Sequence, residues 1–222
     1  MSKIYNMAYI GFGGMASHHL TQSHELDRIH VKGVFDINPE RMEAAKSKGL
    51  YTYSSREEIY NDPEIDLVLI AVPNHLHKDF AIEALRHGKN VLCEKPVTVS
   101  SEELEEIMSV AKECGKVFAI DQNRRVNKDF IAMKRAVESG VLGDVYVIES
   151  RVEGSRGVPK GWRTDAKQGG GMMLDWGVHL IDQLMYMYDS KVKDVYCKMY
   201  SVHYKDVDDN FHVTMTFENG VT

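Results

Sequence analysis

A glycine-rich turn near the start of the chain constrains the fold more than any other feature. The turn, Gly11-Phe12-Gly13-Gly14-Met15-Ala16, follows the apolar segment 7–10 and precedes a helical pattern over residues 16–26. In such a turn the first glycine permits a sharp bend, the second lets the backbone approach a pyrophosphate, and a small third residue lets helix and strand pack closely. The carboxylate of Asp36, which ends the next apolar segment, can bind ribose hydroxyls.

These features predict a dinucleotide site with contacts from Gly11, Phe12, Gly13, Gly14, Met15 and Asp36. The alternative is a purely structural turn, with Asp36 capping the helix that begins at Asn38-Pro39. A carboxylate at this position repels a 2′-phosphate, so we expect NAD as the cofactor, with NADP as a second candidate.

The first 121 residues alternate apolar segments with helical patterns. The segments 7–10, 30–35, 65–72, 90–93 and 117–120 predict strands, and residues 16–26, 39–49, 56–61, 78–86 and 101–114 predict helices. The uninterrupted apolar run at residues 65–72 is typical of a strand inside a parallel sheet. We therefore predict an α/β fold in which residues 1–121 form a doubly wound Rossmann domain.

The pattern changes after Asp121. Residues 130–139 and 172–188 predict helices, residues 145–153, 195–204 and 211–217 alternate as strands do, and residues 155–171 form a polar, glycine-rich loop. This predicts a second, α+β domain over residues 122–222 with a mostly antiparallel sheet. Phe211, Val213, Met215 and Phe217 should share one face and pack on helix 172–188.

Composition limits the partners and the compartment. The chain has 222 residues, a net charge of -6 and 43% hydrophobic residues, which favours neither nucleic acid nor an anionic membrane as a partner. Its longest apolar run is too short to cross a bilayer, and the N-terminus lacks a signal-peptide pattern. The three cysteines form no C-x-x-C pair, so we expect a reducing, cytoplasmic location.

Polar residues follow two of the predicted inner strands. Asn74 comes after strand 65–72, and Glu94-Lys95-Pro96 follows strand 90–93. Ligands of parallel sheets bind beyond the carboxyl ends of the strands, and Pro96 biases Lys95 towards an extended conformation. The alternative for Glu94-Lys95 is a solvated turn. His75 and His77 lack a third nearby metal ligand, so we expect no metal and interpret them as helix-capping or surface residues.

The helix predicted over residues 172–188 carries Asp175 and His179, which are four apart and share one face. A lysine, a histidine and a carboxylate are the groups that an enzyme needs to take a proton from a hydroxyl. The glycines 169–171 before the helix would leave room for a substrate. The alternative is a core histidine that Asp175 merely holds.

Taken together, these motifs resemble the Gfo/Idh/MocA oxidoreductases over essentially the whole chain. The resemblance implies catalytic roles for Lys95, Asp175 and His179, and contacts of Asn74, Glu94 and Lys95 with the cofactor on its nicotinamide side. Members of that family are mostly NAD(P)-dependent enzymes acting on sugars, cyclitols and related polyols. The motifs are the opening glycine turn, Ala71-Val72-Pro73-Asn74 with His77, Ala84-Leu85, Gly88-Lys89, Val91 to Pro96, Asn123-Arg124-Arg125, Gly140-Val141-Leu142-Gly143 and Gly169 to Gly171 leading to Asp175, Gly177, His179 and Asp182.

We therefore expect hydride transfer between a secondary hydroxyl of a sugar or polyol and NAD(P). His179 would act as the base, Lys95 would stabilise the alkoxide and Asp175 would orient His179. Two alternatives are a non-catalytic NAD(P)-binding regulator and a reductase of a non-sugar carbonyl or imine. Substrate contacts are expected from Asp175 and, as a group, from the polar loop, chiefly Trp162 and Arg163, with Arg151, Arg156, Lys160 and Asp165 beside them. The alternative for each single loop residue is a solvated side chain without a role in binding.

Members of the family are usually longer than this chain. The resemblance implies that the second sheet is incomplete here and that its edge is open, which predicts low turnover for the 222-residue chain. When complete, the sheet is expected to form a homo-oligomer interface.

Overall fold

The computed structural model describes residues 3–154 and 157–222, which form two compact units, Met1–Asp121 and Gln122–Thr222. The first unit contains a six-stranded sheet and the second a two-stranded sheet. No helix among the described residues is both long and apolar enough to span a membrane. The predicted α/β fold class is confirmed.

The sheet of the first unit is parallel throughout, with strand order β3-β2-β1-β4-β5-β6. The order reverses between β1 and β4, which is the usual ligand-binding point of a doubly wound sheet. The sequence pattern missed only the short strand β3, which is two residues long and lacks an apolar run. The strands are β1 (Tyr5–Ile10), β2 (Ile29–Phe35), β3 (Tyr51–Thr52), β4 (Leu67–Ile70), β5 (Asn90–Glu94) and β6 (Phe118–Asp121).

Five helices cover the two faces of this sheet. On one face Tyr9 and Leu69 pack with Ala16 and Leu20 of the first helix. On the other face the strands pack against the fourth and fifth helices. Both faces of the sheet are therefore buried, which explains why its strands are apolar without interruption. The helices are α1 (Gly14–Ser23), α2 (Pro39–Ser47), α3 (Arg56–Asn61), α4 (His77–Arg86) and α5 (Ser101–Cys114).

Three of the five helices in the first unit, α2, α3 and α5, begin with a side-chain cap. The side chain of Asn38 accepts a hydrogen bond of 2.8 Å from the N–H of Glu40, and Ser100 caps α5 in the same way through Glu103. The cap of α2 is thus Asn38, so the alternative that assigned this role to Asp36 is wrong. Asp36 is left to make other contacts, described below.

The second unit contains α6 (Lys128–Glu138), α7 (Val178–Met187) and the antiparallel strands β7 (Val192–Tyr200) and β8 (Asn210–Phe217). The helix predicted from residue 172 begins instead as a π-helical turn, Met173–Gly177, before α7. The N–H of Met173 at its start donates to the carboxylate of Asp208 at 2.7 Å. Such wide turns often occur at functional sites.

One predicted strand of this unit is absent. Residues 145–153 do not belong to a sheet, although Ile148 donates to the carbonyl of Thr222 and Thr222 donates to that of Tyr146. The sequence of this segment alternates as a strand does, but these backbone hydrogen bonds reach a single residue, Thr222. The expected packing of β8 is confirmed, because Met215 and Phe217 lie in one cluster with Ile181 and Leu184 of α7.

Candidate functional site

The glycine turn after β1 has the shape that a dinucleotide requires. Gly11 has a φ of 90°, and a Cβ there would lie 2.3 Å from the carbonyl oxygen of Ala71, so only glycine fits. At Gly13 the nearest atom to an added Cβ is Arg41 Nη1 at 3.8 Å, and Gly14 has nothing within 4 Å. The backbone before α1 is therefore open, and a pyrophosphate can approach the helix N-terminus.

Asp36, at the carboxyl end of β2, is buried and tied to this turn. Its Oδ2 accepts a 2.7 Å hydrogen bond from the N–H of Phe12, and its Oδ1 accepts one of 2.8 Å from Asn38. The guanidinium of Arg41 donates to Oδ2 at 3.2 Å and remains half exposed. A single carboxylate therefore joins the glycine turn to the loop after β2, and the half-exposed Arg41 lies beside it.

The turn that carries Lys95 is held on both sides. Glu94 is buried, and its Oε2 accepts a 3.2 Å hydrogen bond from the N–H of Lys95. The carbonyl of Pro96, joined to Lys95 by a cis peptide, lies 2.8 Å from Nδ1 of His77. The backbone on either side of Lys95 is thereby fixed at the carboxyl end of β5, where the sequence predicted a ligand-binding group.

His77 is fully buried, so its assignment as a capping or surface residue is wrong. Its Nε2 lies 2.9 Å from the carbonyl of Val72, and its Nδ1 contacts Pro96, so the ring joins the loops after β4 and β5. Burial lowers the pKa of His77. Asn74, in the short 3₁₀ turn Asn74–Leu76 of the loop after β4, is also buried.

A second group near Lys95 was not predicted from the sequence: His19, Glu94 and Asp121, hereafter the His19 group. Nε2 of His19 lies 2.6 Å from Oε1 of Glu94 and 3.0 Å from Oδ2 of Asp121. The neighbouring carboxylates of Asp121 and Glu94 raise the pKa of His19 to about 9. The sequence feature that could have revealed this group is a pair of acidic residues that each end an apolar strand. A histidine on a helix of the same unit completes it.

In the second unit Asp175 and His179 are both buried at the π-helical turn and the start of α7. Oδ2 of Asp175 accepts a 3.0 Å hydrogen bond from Nε of Arg163, and that guanidinium also stacks over Trp162 at 4.3 Å. The ring of His179 meets that of Trp176 edge to face, with centroids 6.2 Å apart. Arg163, Trp162 and Asp175 are thus brought together, while Arg156 lies outside the described residues.

The glycines before this turn have a different role from the one expected. A Cβ on Gly171 would lie 2.2 Å from Oδ1 of Asp208, and one on Gly170 would lie 2.5 Å from the carbonyl oxygen of Arg163. The space beside Gly170 and Gly171 is filled by the protein, so the interpretation that they leave room for a substrate is wrong for these two glycines. Burial raises the pKa of Asp208, whose carboxylate caps the π-helical turn.

Asp182, one of the residues that carry the family resemblance, belongs to an ion pair within the second unit. Its two oxygens accept hydrogen bonds of 2.8 and 2.5 Å from the guanidinium of Arg125. This bidentate pair joins α7 to the 3₁₀ turn Asn123–Val126 within the second unit.

Comparison with known proteins finds relatives by sequence and similar solved structures. The chain is 33% identical to the uncharacterized oxidoreductase YhhX of Escherichia coli over 192 residues, 83% of this chain and 54% of YhhX. It is 31% identical to the scyllo-inositol 2-dehydrogenase (NADP(+)) IolW of Bacillus subtilis over 162 residues, 72% of this chain and 45% of IolW. An NAD-binding protein from Listeria innocua has a similar crystal structure, with 48% identity and a TM-score of 0.97 over 99% of this chain and 65% of that one.

Two family models divide the sequence much as the structure does. Residues 5–122 match the oxidoreductase family with an NAD-binding Rossmann fold, and residues 130–222 match the GFO/IDH/MocA C-terminal domain. The chain spans about half the length of the curated relatives described above. Its first unit is an NAD-binding Rossmann domain, as predicted. With both models matched in order, the chain belongs to the Gfo/Idh/MocA family of oxidoreductases.

Proposed function

We propose that the protein transfers a hydride between a secondary hydroxyl of a sugar, cyclitol or related polyol and a nicotinamide dinucleotide. The observation that carries this proposal is the turn at Lys95. There a lysine at the carboxyl end of an inner strand has its backbone fixed by Glu94 on one side and by His77 on the other. An ammonium group carried by a fixed backbone beside a dinucleotide site is suited to stabilise charge on an oxygen.

The residues take separate roles in the proposed reaction. His179 accepts the hydroxyl proton as general base, and Lys95 donates a hydrogen bond to the oxygen as alkoxide charge develops. Asp175 orients His179 and stabilises its protonated form. The cofactor supplies the redox chemistry by accepting the hydride. The contact between Arg163 and Asp175 adds a positioning role for the loop arginine.

The cofactor is proposed to be held at the edge where β1, β2, β4 and β5 end. Gly11, Gly13 and Gly14 would face the pyrophosphate, with Phe12 and Met15 beside them in the same turn, and Asp36 would face the ribose. Asn74, Glu94 and Lys95 would lie on the nicotinamide side. The open space at Gly13 and Gly14 supports this arrangement.

A polyol as substrate is supported by two observations. IolW, a relative over 72% of this chain, is named for the oxidation of a cyclitol hydroxyl. The chain also places Trp162 under the guanidinium of Arg163, and an aromatic face with adjacent hydrogen-bond donors suits a sugar ring. We place Trp162, Arg163 and Asp175 among the substrate contacts.

A hydride-transfer screen tests this proposal. Scyllo-inositol, myo-inositol and a panel of glucosides would be offered with NAD and with NADP, and formation of the reduced nicotinamide followed by its absorbance. The 222-residue chain would be compared with a chimera that adds the remaining C-terminal part of the Listeria innocua protein. Turnover of one polyol by the chimera is expected. Reduction of simple ketones or imines without turnover of any polyol would contradict the proposal, as would NAD binding without turnover of any substrate class.

A further inference from the structure

The His19 group lies entirely within the first unit, at the carboxyl end of its sheet. Glu94 and Asp121 end the neighbouring parallel strands β5 and β6 and are partners in the strand register. Their carboxylates approach His19 from those two strands, and one polar side-chain atom from each of the three residues lies within 4.8 Å of the other two. Helix α1 brings His19 to this place because Ala16 and Leu20 pack on the face that includes Leu92 of β5.

Two carboxylates this close repel each other, and both are largely removed from solvent: their side chains are 7% and 17% exposed. Repulsion of this kind is relieved when a cation lies between the acids. The distances of 2.6 and 3.0 Å from Nε2 of His19 are those of a charged hydrogen bond and a close ion pair. They are shorter than the separation of about 3.3 Å that ligand atoms need around a tetrahedral zinc ion.

A chain of contacts leads from His19 to the turn at Lys95. One oxygen of Glu94 is bound by His19, and the other accepts the hydrogen bond from the N–H of Lys95. With Oε1 held, the Glu94 carboxylate has one orientation, and its Oε2 stays beside the Lys95 backbone. If Oε1 were released, the side chain could rotate and the contact with Lys95 would weaken.

We propose that His19 is a positioning residue: as an imidazolium it holds the Glu94 and Asp121 carboxylates together, and through Glu94 it fixes the backbone of the turn that presents Lys95. This inference rests on the proposed function in so far as Lys95 takes part in the reaction. The contacts themselves can be measured without turnover.

The charge state of His19 is set by a small number of neighbours. The titratable side chains that the structure shows at its ring are Asp121 from β6, Glu94 from β5 and, on its own helix, His18, whose ring centroid lies 6.3 Å away. The two acids favour the imidazolium, and a second imidazolium would disfavour it. His18 is exposed, so its effect is weakened by solvent.

The first experiment is an NMR titration of the ring carbons and nitrogens of the histidines. His19 is expected to keep its proton well above the ordinary range near 6.5. In Asp121→Asn its titration should move to lower pH by about one unit or more, because one of the two charges that stabilise the imidazolium is removed. A ring of His19 that is neutral at pH 7 in the unaltered chain would overturn the inference.

The second experiment measures the exchange of the Lys95 amide. His19→Ala should speed this exchange about tenfold, as expected for loss of one hydrogen bond, while the amides of the central strand β1 keep their protection and report an intact fold. His18→Ala on the same helix is the matched control and should leave the Lys95 amide unchanged. Unchanged exchange of this amide in a folded His19→Ala variant would refute the positioning role.

A third measurement separates this inference from the proposed function. In the chimera, His19→Gln keeps a donor for Glu94 but not the charge, so kcat is expected to fall less than in His19→Ala, with NAD affinity nearly unchanged. Full activity of Lys95→Ala would remove the proposed role of Lys95 and leave the His19 contacts as found. Equal loss of kcat in His19→Gln and His18→Gln would count against a specific role of His19.

Discussion

The backbone N–H of Phe12 donates a 2.7 Å hydrogen bond to the carboxylate of Asp36. Asp36 therefore holds the glycine turn, and in the proposed cofactor site its charge would also face the ribose. These two roles can be separated, because an asparagine keeps an acceptor oxygen and loses the charge.

Cofactor preference follows from that charge. We expect the thermal midpoint of the protein to rise more with NAD than with NADP at equal concentration, because the Asp36 carboxylate repels a 2′-phosphate. Asp36→Asn should narrow the difference while preserving the turn. Arg41→Ala is the control, since Arg41 lies beside Asp36 and is the nearest cation that could attract the phosphate. A larger shift with NADP in the unaltered protein would show that Arg41 outweighs Asp36.

Substitution of Gly11 should lower the stability of the first unit, whereas substitution of Gly13 should abolish NAD binding. Gly11→Ala places a Cβ 2.3 Å from the Ala71 carbonyl at a φ of 90°, so it should destabilise the first unit. Gly13→Val has open space nearby and should leave the urea midpoint almost unchanged, yet abolish NAD binding by blocking the pyrophosphate. Calorimetric titration with NAD alongside urea unfolding separates the two effects. NAD binding by Gly13→Val would contradict the proposed cofactor position.

The sequence predicts the first unit well because its strands are buried on both faces, so apolar runs and glycine stops mark nearly every element. It predicts less of the second unit, where structure depends on partners distant in sequence. The alternation of residues 145–153 could not reveal that their backbone bonds with Thr222 rather than with a strand. The helical pattern from residue 172 could not reveal the π-helical turn that Asp208 caps. His19 and His77 were missed for the same reason, because their partners come from other loops and strands.

Lys95 and His179 should be needed for the proposed hydride transfer but not for NAD binding. In the chimera we expect Lys95→Ala and His179→Ala to leave NAD affinity within a few-fold and to lower kcat by roughly 10²–10⁴, the range for loss of general acid–base catalysis. Lys198→Ala, on the exposed face of β7, is the control for loss of a lysine side chain. Stopped-flow rates and NAD titrations supply the two quantities. Near-normal turnover of either variant on a true substrate would make that residue structural.

The His19 group should make the stability of the first unit depend on pH. The folded-state pKa of His19, about 9, lies above its ordinary value of 6.5, so its contribution is fully present below pH 6.5 and is lost as the pH rises through 9. At about 1.4 kcal/mol for each tenfold change in proton affinity, the free energy of unfolding should fall by up to about 3 kcal/mol over that interval. Urea titrations at several pH values measure it. Asp121→Asn should flatten the dependence, whereas a slope equal to that of the unaltered chain would show that another group titrates.

Protection against amide exchange should differ between the two units. Strand β1 lies between β2 and β4 and is buried along most of its length, whereas β7 pairs only with β8 and is exposed at nearly every residue. In the 222-residue chain we expect the amides of Ala8 to Ile10 to exchange on the order of a hundredfold more slowly than those of Val195 to Tyr200, because local opening requires less free energy where few apolar contacts must be broken. Mass spectrometry of deuterium uptake on both segments tests this. Equal protection of the two strands would show that β7 is covered in solution, and a concentration-dependent protection of β7 alone would identify the cover as a second copy of the chain.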